Sequence, residues 1–292
     1  MKSRSCMFSL LSACLGLGAL SGMTCPGGGT TLPAEFTSAD GLKGGIAYDK
    51  FWATETGHSG DFSTADTTTL NNFADFFRCK QCHAWDQLGR AASYIDRAPN
   101  TTRPNVAPIN LASVIASKTE QELFDEIKTG GSATRRSLSA DLSTYDPTTN
   151  NTVGDQMPNF GSFMTDSQIW EIVKFLKTER FDTTMLYDIT TTGTYSTGSR
   201  TFSNVGKDGN AVTGAVLYVS KSCSGCHGTD GKTLTPLGGK TGLGQFARDK
   251  PYELQHKGHF GQLGTAMASR AFTQTEMKDL LKALSDTTAF PD

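Results

Sequence analysis

Two short stretches decide how this sequence is interpreted: Cys79-Lys80-Gln81-Cys82-His83 and Cys223-Ser224-Gly225-Cys226-His227. In each, two residues separate a pair of thiols, and an imidazole follows the second thiol directly. The 292-residue chain has seven cysteines. Three of them, Cys6, Cys14 and Cys25, lie in or beside an N-terminal apolar segment, and the other four belong to the two stretches. No cysteine therefore remains for a structural disulfide or for a thiolate iron ligand.

This pattern suits covalent attachment of haem. The two thiols can add to the vinyl groups of the porphyrin, and the adjacent imidazole can reach the iron from one face. A zinc site would need further Cys or His residues at ligand spacing, and a thioredoxin-like dithiol would need a βαβ setting. The sequence therefore predicts two haem c groups, with His83 and His227 as proximal iron ligands. Their attachment sites would be Cys79, Cys82, Cys223 and Cys226.

Methionines in corresponding positions are candidates for the second axial ligand. Met157 is followed by Pro158 and lies eight residues before Thr165; Met164 is a weaker alternative. Met267 lies six residues before Thr273 and is followed by Ala268. A His/Met pair raises the reduction potential relative to harder ligands and closes the iron to substrate.

Histidines compete with Met267 in the second half. Beyond the two proximal ligands the chain has only His58, His256 and His259. When the segment 122–130 is overlaid on 253–261 by its matching Glu, Leu and Gly, His256 and His259 fall opposite Asp125 and Lys128. The first half thus has no ligand at those positions, which favours Met267. The second-half ligand stays open among Met267, His256, His259 and an iron without a sixth ligand.

A repeat of the same features predicts two helical units. An apolar segment, predicted to be helical, runs into each first cysteine. Each half closes with a methionine and an amphipathic helix that begins with a capping box, Thr165-x-x-Gln168 and Thr273-x-x-Glu276. We therefore expect an all-α fold of two tandem domains at 43–182 and 213–292, joined by a Thr/Ser/Gly-rich linker at 183–212 that holds a small hairpin.

The N-terminus has the anatomy of a secretory signal. Lys2 and Arg4 precede an apolar run of about 15 residues, short of the ~20 that span a bilayer. We expect residues 1–25 to direct export to the periplasm, the outer membrane or the cell surface, with a possible lipid anchor on Cys14 or Cys25. The formal charge of -2 gives no reason to expect a nucleic-acid partner.

Loops outside the two motifs supply further candidates. A carbonyl is expected to hold the second ring nitrogen of each proximal histidine. The loops at Pro108 and Pro236 resemble the proline-containing loop that does this in class I cytochromes c, and the resemblance makes them the candidates. The first half also has a polar insertion, roughly 132–155, whose Arg135 and Arg136 are candidates for binding a propionate or a partner's carboxylates.

With these residues the chain resembles the bacterial two-domain dihaem cytochromes c built from class I units, over roughly residues 43–285. The resemblance is strongest at the two motifs, at Met157-Pro158 and at the last helix of each half. It implies an electron-transfer protein or subunit that relays electrons between other redox proteins, with exposed haem edges. Its oligomeric state is not predicted.

A dihaem redox enzyme is the alternative. Dihaem peroxidases have a histidine shortly after the first motif, and none occurs here between His83 and His227. Dihaem thiosulfate dehydrogenases use a cysteine thiolate at the active haem, and none is free here. The resemblance therefore favours a carrier over an enzyme.

Overall fold

The computed structural model describes residues 31–51, 74–100, 103, 105, 108–129, 157–162, 164–262 and 265–292. Residues 32–292 form one compact unit. The predicted signal segment, His58, the insertion at 132–155 with its two arginines, and Leu70 and Phe73 before the first motif lie outside the described residues.

The first half consists of short helices around an aromatic core. They are α1 Ala34–Ser38, α2 Gly41–Lys50, α3 Cys79–His83, α4 Leu111–Ser117, α5 Glu120–Lys128 and α6 Asp166–Lys174, which continues as one π-turn over Phe175–Glu179. Helix α2 packs along α6, and their buried faces meet in a core that includes Tyr48, Phe77 and Ile169. The predicted helix before the first motif is, where described, a 3-10 turn at Ala74–Phe77.

A hairpin connects the halves. Strands β1 Asp188–Thr192 and β2 Ser199–Ser203 pair antiparallel, with Ile189 opposite Phe202. The predicted hairpin in the Thr/Ser/Gly-rich segment is therefore confirmed. Phe202 turns inward and stacks on Tyr252, with ring centroids 5.5 Å apart, so the hairpin packs against the second half.

The second half repeats the helical design. Its helices are α7 Ala211–Ser220, α8 Ser224–His227, α9 Leu243–Asp249, α10 Pro251–Phe260 and α11 Gln274–Leu284. Helix α7 packs along α11 as α2 packs along α6. Asn210 caps α7 by accepting hydrogen bonds from the amides of Val212 and Thr213.

Both predicted capping boxes are confirmed, at Thr165/Gln168 and at Thr273/Glu276. A third box, at Thr119/Glu122, starts α5 and was not predicted. In each box the threonine hydroxyl accepts from the third amide of the helix while the third side chain accepts from the threonine amide. These caps fix where α5, α6 and α11 begin.

Each of the two hydrophobic cores takes residues from the other half. Phe260 of α10 belongs to the first core, and Ala84, Trp85 and Tyr94 belong to the second. The halves thus pack on one another rather than being separated by the linker. None of the helices in the described part of the chain has the length and apolarity that crossing a bilayer requires.

Candidate haem-binding sites

The first motif forms one wall of an apolar cleft. Helix α3 holds Cys79, Cys82 and His83 at its surface, and Met157 and Pro158 line the same cleft. The remaining lining is largely apolar and comes from α2, the 3-10 turn, α4, α5 and α6, for example Tyr48, Phe76, Phe77, Leu111, Ile127 and Ile172. The structure therefore brings together both thiols, the predicted proximal histidine and the predicted methionine. The cleft is narrow, with a volume of about 70 Å³.

The second motif has the same surroundings and a wider cleft. Cys223, His227 and Met267 line a cavity of about 340 Å³. A second cavity of about 270 Å³ shares these three residues and extends to Cys226. Met267 lies in the loop before α11 and is 36% exposed, whereas Met157 is half-buried.

These donor sets fit a covalently attached haem. The four motif cysteines form no disulfide, and burial raises the pKa of the Cys79 thiol to about 12. A redox dithiol depends on a lowered thiol pKa, which Cys79 does not have. Burial also lowers the pKa of His227, so its imidazole is neutral, as an iron ligand must be. Nowhere among the described residues do three or more His, Cys, Asp or Glu side chains cluster as a metal site of another kind.

The rival histidines do not line the second cleft. Helix α10 turns Leu254, Lys257 and Gly258 toward it. His256, 1% exposed, instead packs against Tyr48, with ring centroids 6.0 Å apart, and His259 accepts a 3.1 Å hydrogen bond at Nδ1 from the amide of Phe272. Burial lowers the pKa of both to about 4.

Met164, the alternative in the first half, is buried in the first core, where Met157 packs only at the edge. Met157 and Met267 are thus the methionines that line the two clefts together with the motif histidines.

The predicted carbonyl partner of His227 is not found among the described residues. Pro236 lines the second cleft, but Nδ1 of His227 is buried without a hydrogen-bond partner among the described residues. The loop uses its carbonyls elsewhere, since that of Gly238 accepts from Lys250 Nζ at 2.7 Å. Pro108 is exposed, and Leu111, three residues later, is the residue that lines the first cleft.

Sequence reasoning missed a tyrosine at each site. Tyr48 donates a 2.7 Å hydrogen bond to the carbonyl of Ala84, and Tyr218 donates one of 2.6 Å to the carbonyl of Gly228. Ala84 and Gly228 are the residues that follow the proximal histidines, and both have positive φ. Tyr218 stands five residues before its motif, but Tyr48 lies 36 residues from Ala84, and no local pattern indicates that contact.

An ion pair beside the first motif was also missed. Arg78 lines the first cleft, and its Nη2 lies 2.6 Å from Oδ1 of Asp49. Burial opposes the ionised carboxylate of Asp49, but Arg78, with smaller help from His256 and Lys80, outweighs it and lowers the pKa. The pair fixes the chain just before Cys79.

Comparison with known proteins adds one finding. Residues 73–179 match the family model of Cytochrome c, a segment that holds the first motif, Met157 and α6. Neither the curated proteins nor the solved structures give a match. The helical fold agrees with the all-α class expected of that family. The chain thus contains a cytochrome c domain over residues 73–179, which supports a c-type cytochrome with covalently bound haem and a role in haem-based electron transfer.

Proposed function

We propose that this chain is an exported electron-transfer protein that carries two haem c groups, one at each motif. The observation that carries the proposal is that the same four groups meet twice. In each half a cleft is lined by both motif cysteines, by the histidine that follows them and by a methionine. Apart from Tyr48, the residues that line the first of these clefts belong to the segment that matches the cytochrome c family.

The proposed axial ligands are His83 with Met157 and His227 with Met267. Iron held by a histidine and a thioether is six-coordinate, and its potential is raised relative to iron with harder ligands. Such a site exchanges electrons without binding a substrate. The chain's own residues hold the haem, exclude water with apolar walls and leave an edge for electron exchange, as the exposure of Cys226 indicates at the second motif.

The partners we propose are other redox proteins met outside the cytoplasm. Haem attachment to thiols and the signal-like residues 1–25 support export to the periplasm or the outer surface. A lipid anchor on Cys14 or Cys25 would add membrane attachment. The formal charge of -2 gives no reason to propose a nucleic-acid partner.

One observation favours a dihaem redox enzyme as the second candidate. Met267 is 36% exposed on a loop, while Met157 is half-buried. If one of the two irons opens to a substrate, the exposure of Met267 indicates that it is the iron of the second site. Release of Met267 on reduction would move the function from carrier to enzyme.

Haem counting tests the proposal directly. The mature protein, produced with a c-type haem maturation system, should carry two haems per chain by alkaline pyridine spectroscopy and by mass. Replacing Cys223 and Cys226 by serine should remove one haem, and replacing Cys79 and Cys82 should remove the other. Met277→Leu is the control, because Met277 is a fully buried core residue of α11, and this variant should keep both haems. A single haem in the unaltered protein would contradict the two-haem proposal.

A further inference from the structure

One aromatic side chain lies where the two halves meet. Trp85 follows His83 by two residues and is 5% exposed. Its ring centroid is 6.2 Å from that of Tyr252, and its carbonyl accepts a 2.9 Å hydrogen bond from Gln255 Nε2. Tyr252 and Gln255 both belong to α10. The chain leaving the first motif is therefore joined to a helix of the second half.

The same helix forms a wall of the second cleft. Lys257 lines that cleft, and its Nζ also lies 5.2 Å from the centre of the Trp85 ring. A single side chain thus contacts both the second cleft and the tryptophan that follows the first motif. The path from the first cleft to the second therefore runs along the consecutive residues His83, Ala84 and Trp85 and then through the contact between Trp85 and Lys257.

The orientation of the Trp85 ring is fixed from the first half. Its indole N–H donates a 3.2 Å hydrogen bond to Oδ1 of Asp49, the carboxylate already paired with Arg78. The Nζ of Lys80, within the first motif, lies 4.7 Å from the ring centre. Four side chains from three helices thus contact the ring: Asp49, Lys80, Tyr252 and Lys257.

We propose that Trp85 and Lys257 are the bridge through which an electron passes between the two haem sites. This inference rests on the proposed function. One electron leaves the reduced iron of one site and arrives at the oxidised iron of the other, so charge balances without any proton or bond change. In this step Trp85 serves as a tunnelling medium: the electron passes through its ring, and no charge is left on the indole.

The test uses the haem-loaded protein and measures electron exchange between the two haems after flash reduction of one of them. Trp85→Leu should slow the exchange several-fold, and Trp85→Phe less. The matched control is Trp170→Leu, because Trp170 is equally buried at 5% but stacks on Phe124 within the first core. Both leucine variants should lose stability in urea unfolding, but only Trp85→Leu should slow the exchange.

Two further readouts separate a bridge from a structural role. Lys257→Met removes the Nζ that lies over the Trp85 ring but keeps most of the side chain, so it should slow the exchange less than Lys257→Ala does. The reduction potentials of both haems should stay unchanged in the Trp85 variants, which alter no charge. Equal rates in Trp85→Leu and Trp170→Leu would overturn the bridge while leaving two haems and the carrier in place. A protein with only one haem would overturn the proposed function as well, and the haem count distinguishes the two failures.

Discussion

The hydroxyl of Tyr48 donates a 2.7 Å hydrogen bond to the carbonyl oxygen of Ala84, the residue after His83. Ala84 is completely buried and has φ 58 and ψ 178, a conformation that residues other than glycine rarely adopt. Tyr218 and Gly228 repeat the arrangement in the second half, at 2.6 Å, with φ 82 and ψ 173 at Gly228. In both halves a tyrosine therefore secures the sharp exit of the chain from the haem motif.

Removing the Tyr48 hydroxyl should destabilise the protein. In Tyr48→Phe the ring stays packed, but the buried carbonyl of Ala84 loses this donor, at a cost of about 1–3 kcal/mol. Urea unfolding of the haem-loaded protein measures the change. Tyr218→Phe should cost less, because the Tyr218 bond is only partly buried. Equal stability of Tyr48→Phe and the unaltered protein would show that the bond contributes nothing.

The exit at Gly228 should not accept a side chain. A Cβ there would lie 2.3 Å from Oγ1 of Thr233, and the positive φ adds backbone strain. We expect Gly228→Ala to lose about 1–3 kcal/mol of stability. Gly225→Ala, three residues earlier in α8, is the matched control, because a Cβ there meets nothing within 4 Å. If both variants unfold at the same urea concentration, the conformation of Gly228 does not matter.

His256 should make stability depend on pH. Burial lowers the pKa of His256 from 6.5 to about 4. The nearby His259 and Lys257 act in the same direction, and Asp49 opposes them with a smaller effect than that of burial. The unfolded chain therefore binds a proton that the folded chain does not between those values. The stability tied to this neutral imidazole is fully present above pH 6.5 and is lost as pH falls toward 4, on the order of 3 kcal/mol.

His256→Gln removes this titration and keeps a side chain that can hydrogen-bond the backbone at Gly45. Urea unfolding at pH 4.5 and at pH 7 should show a smaller difference in stability in the variant than in the unaltered protein. The other histidines titrate in both proteins, so their effect cancels in the comparison. Parallel pH curves would contradict the assignment of a buried neutral His256.

Asp49 should be among the costliest carboxylates to neutralise. Its side chain is 4% exposed and lies 2.6 Å from Arg78, which is 15% exposed. Asp49→Asn leaves the guanidinium with only the half-exposed Asp75, 2.7 Å from Nη1, as its counter-charge, at a cost of about 3 kcal/mol. Asp249→Asn, in the more exposed pair with Lys240, should cost less than about 1 kcal/mol. Similar losses in the two variants would show that burial does not distinguish the pairs.

Local patterns carried most of what the sequence could predict. The capping boxes at Thr165 and Thr273 and the hairpin after Asp188 depend on neighbouring residues and are found where expected. The placement of Met157 and Met267 in the two clefts also agrees with their spacing from the last helix of each half.

Contacts between distant residues could not be predicted. Tyr48 with Ala84 and Gln255 with Trp85 join segments 36 and 170 residues apart, and each depends on how helices pack. The face that α10 turns to the second cleft was also undetermined, because Leu254 and His256 lie on different sides of one almost uniformly buried helix. Periodicity cannot orient a helix that is buried all round.

The electron paramagnetic resonance spectrum of the oxidised, haem-loaded protein tests the central claim most directly, since it separates six-coordinate low-spin iron from open high-spin iron. We predict two low-spin His/Met signals. Met267→Ala should remove the low-spin His/Met signal of the second site only, and Met157→Ala that of the first site only. Met277→Leu should change neither signal. A high-spin or bis-histidine signal in the unaltered protein, or a second signal that survives Met267→Ala, would contradict the proposed ligation and favour a redox enzyme.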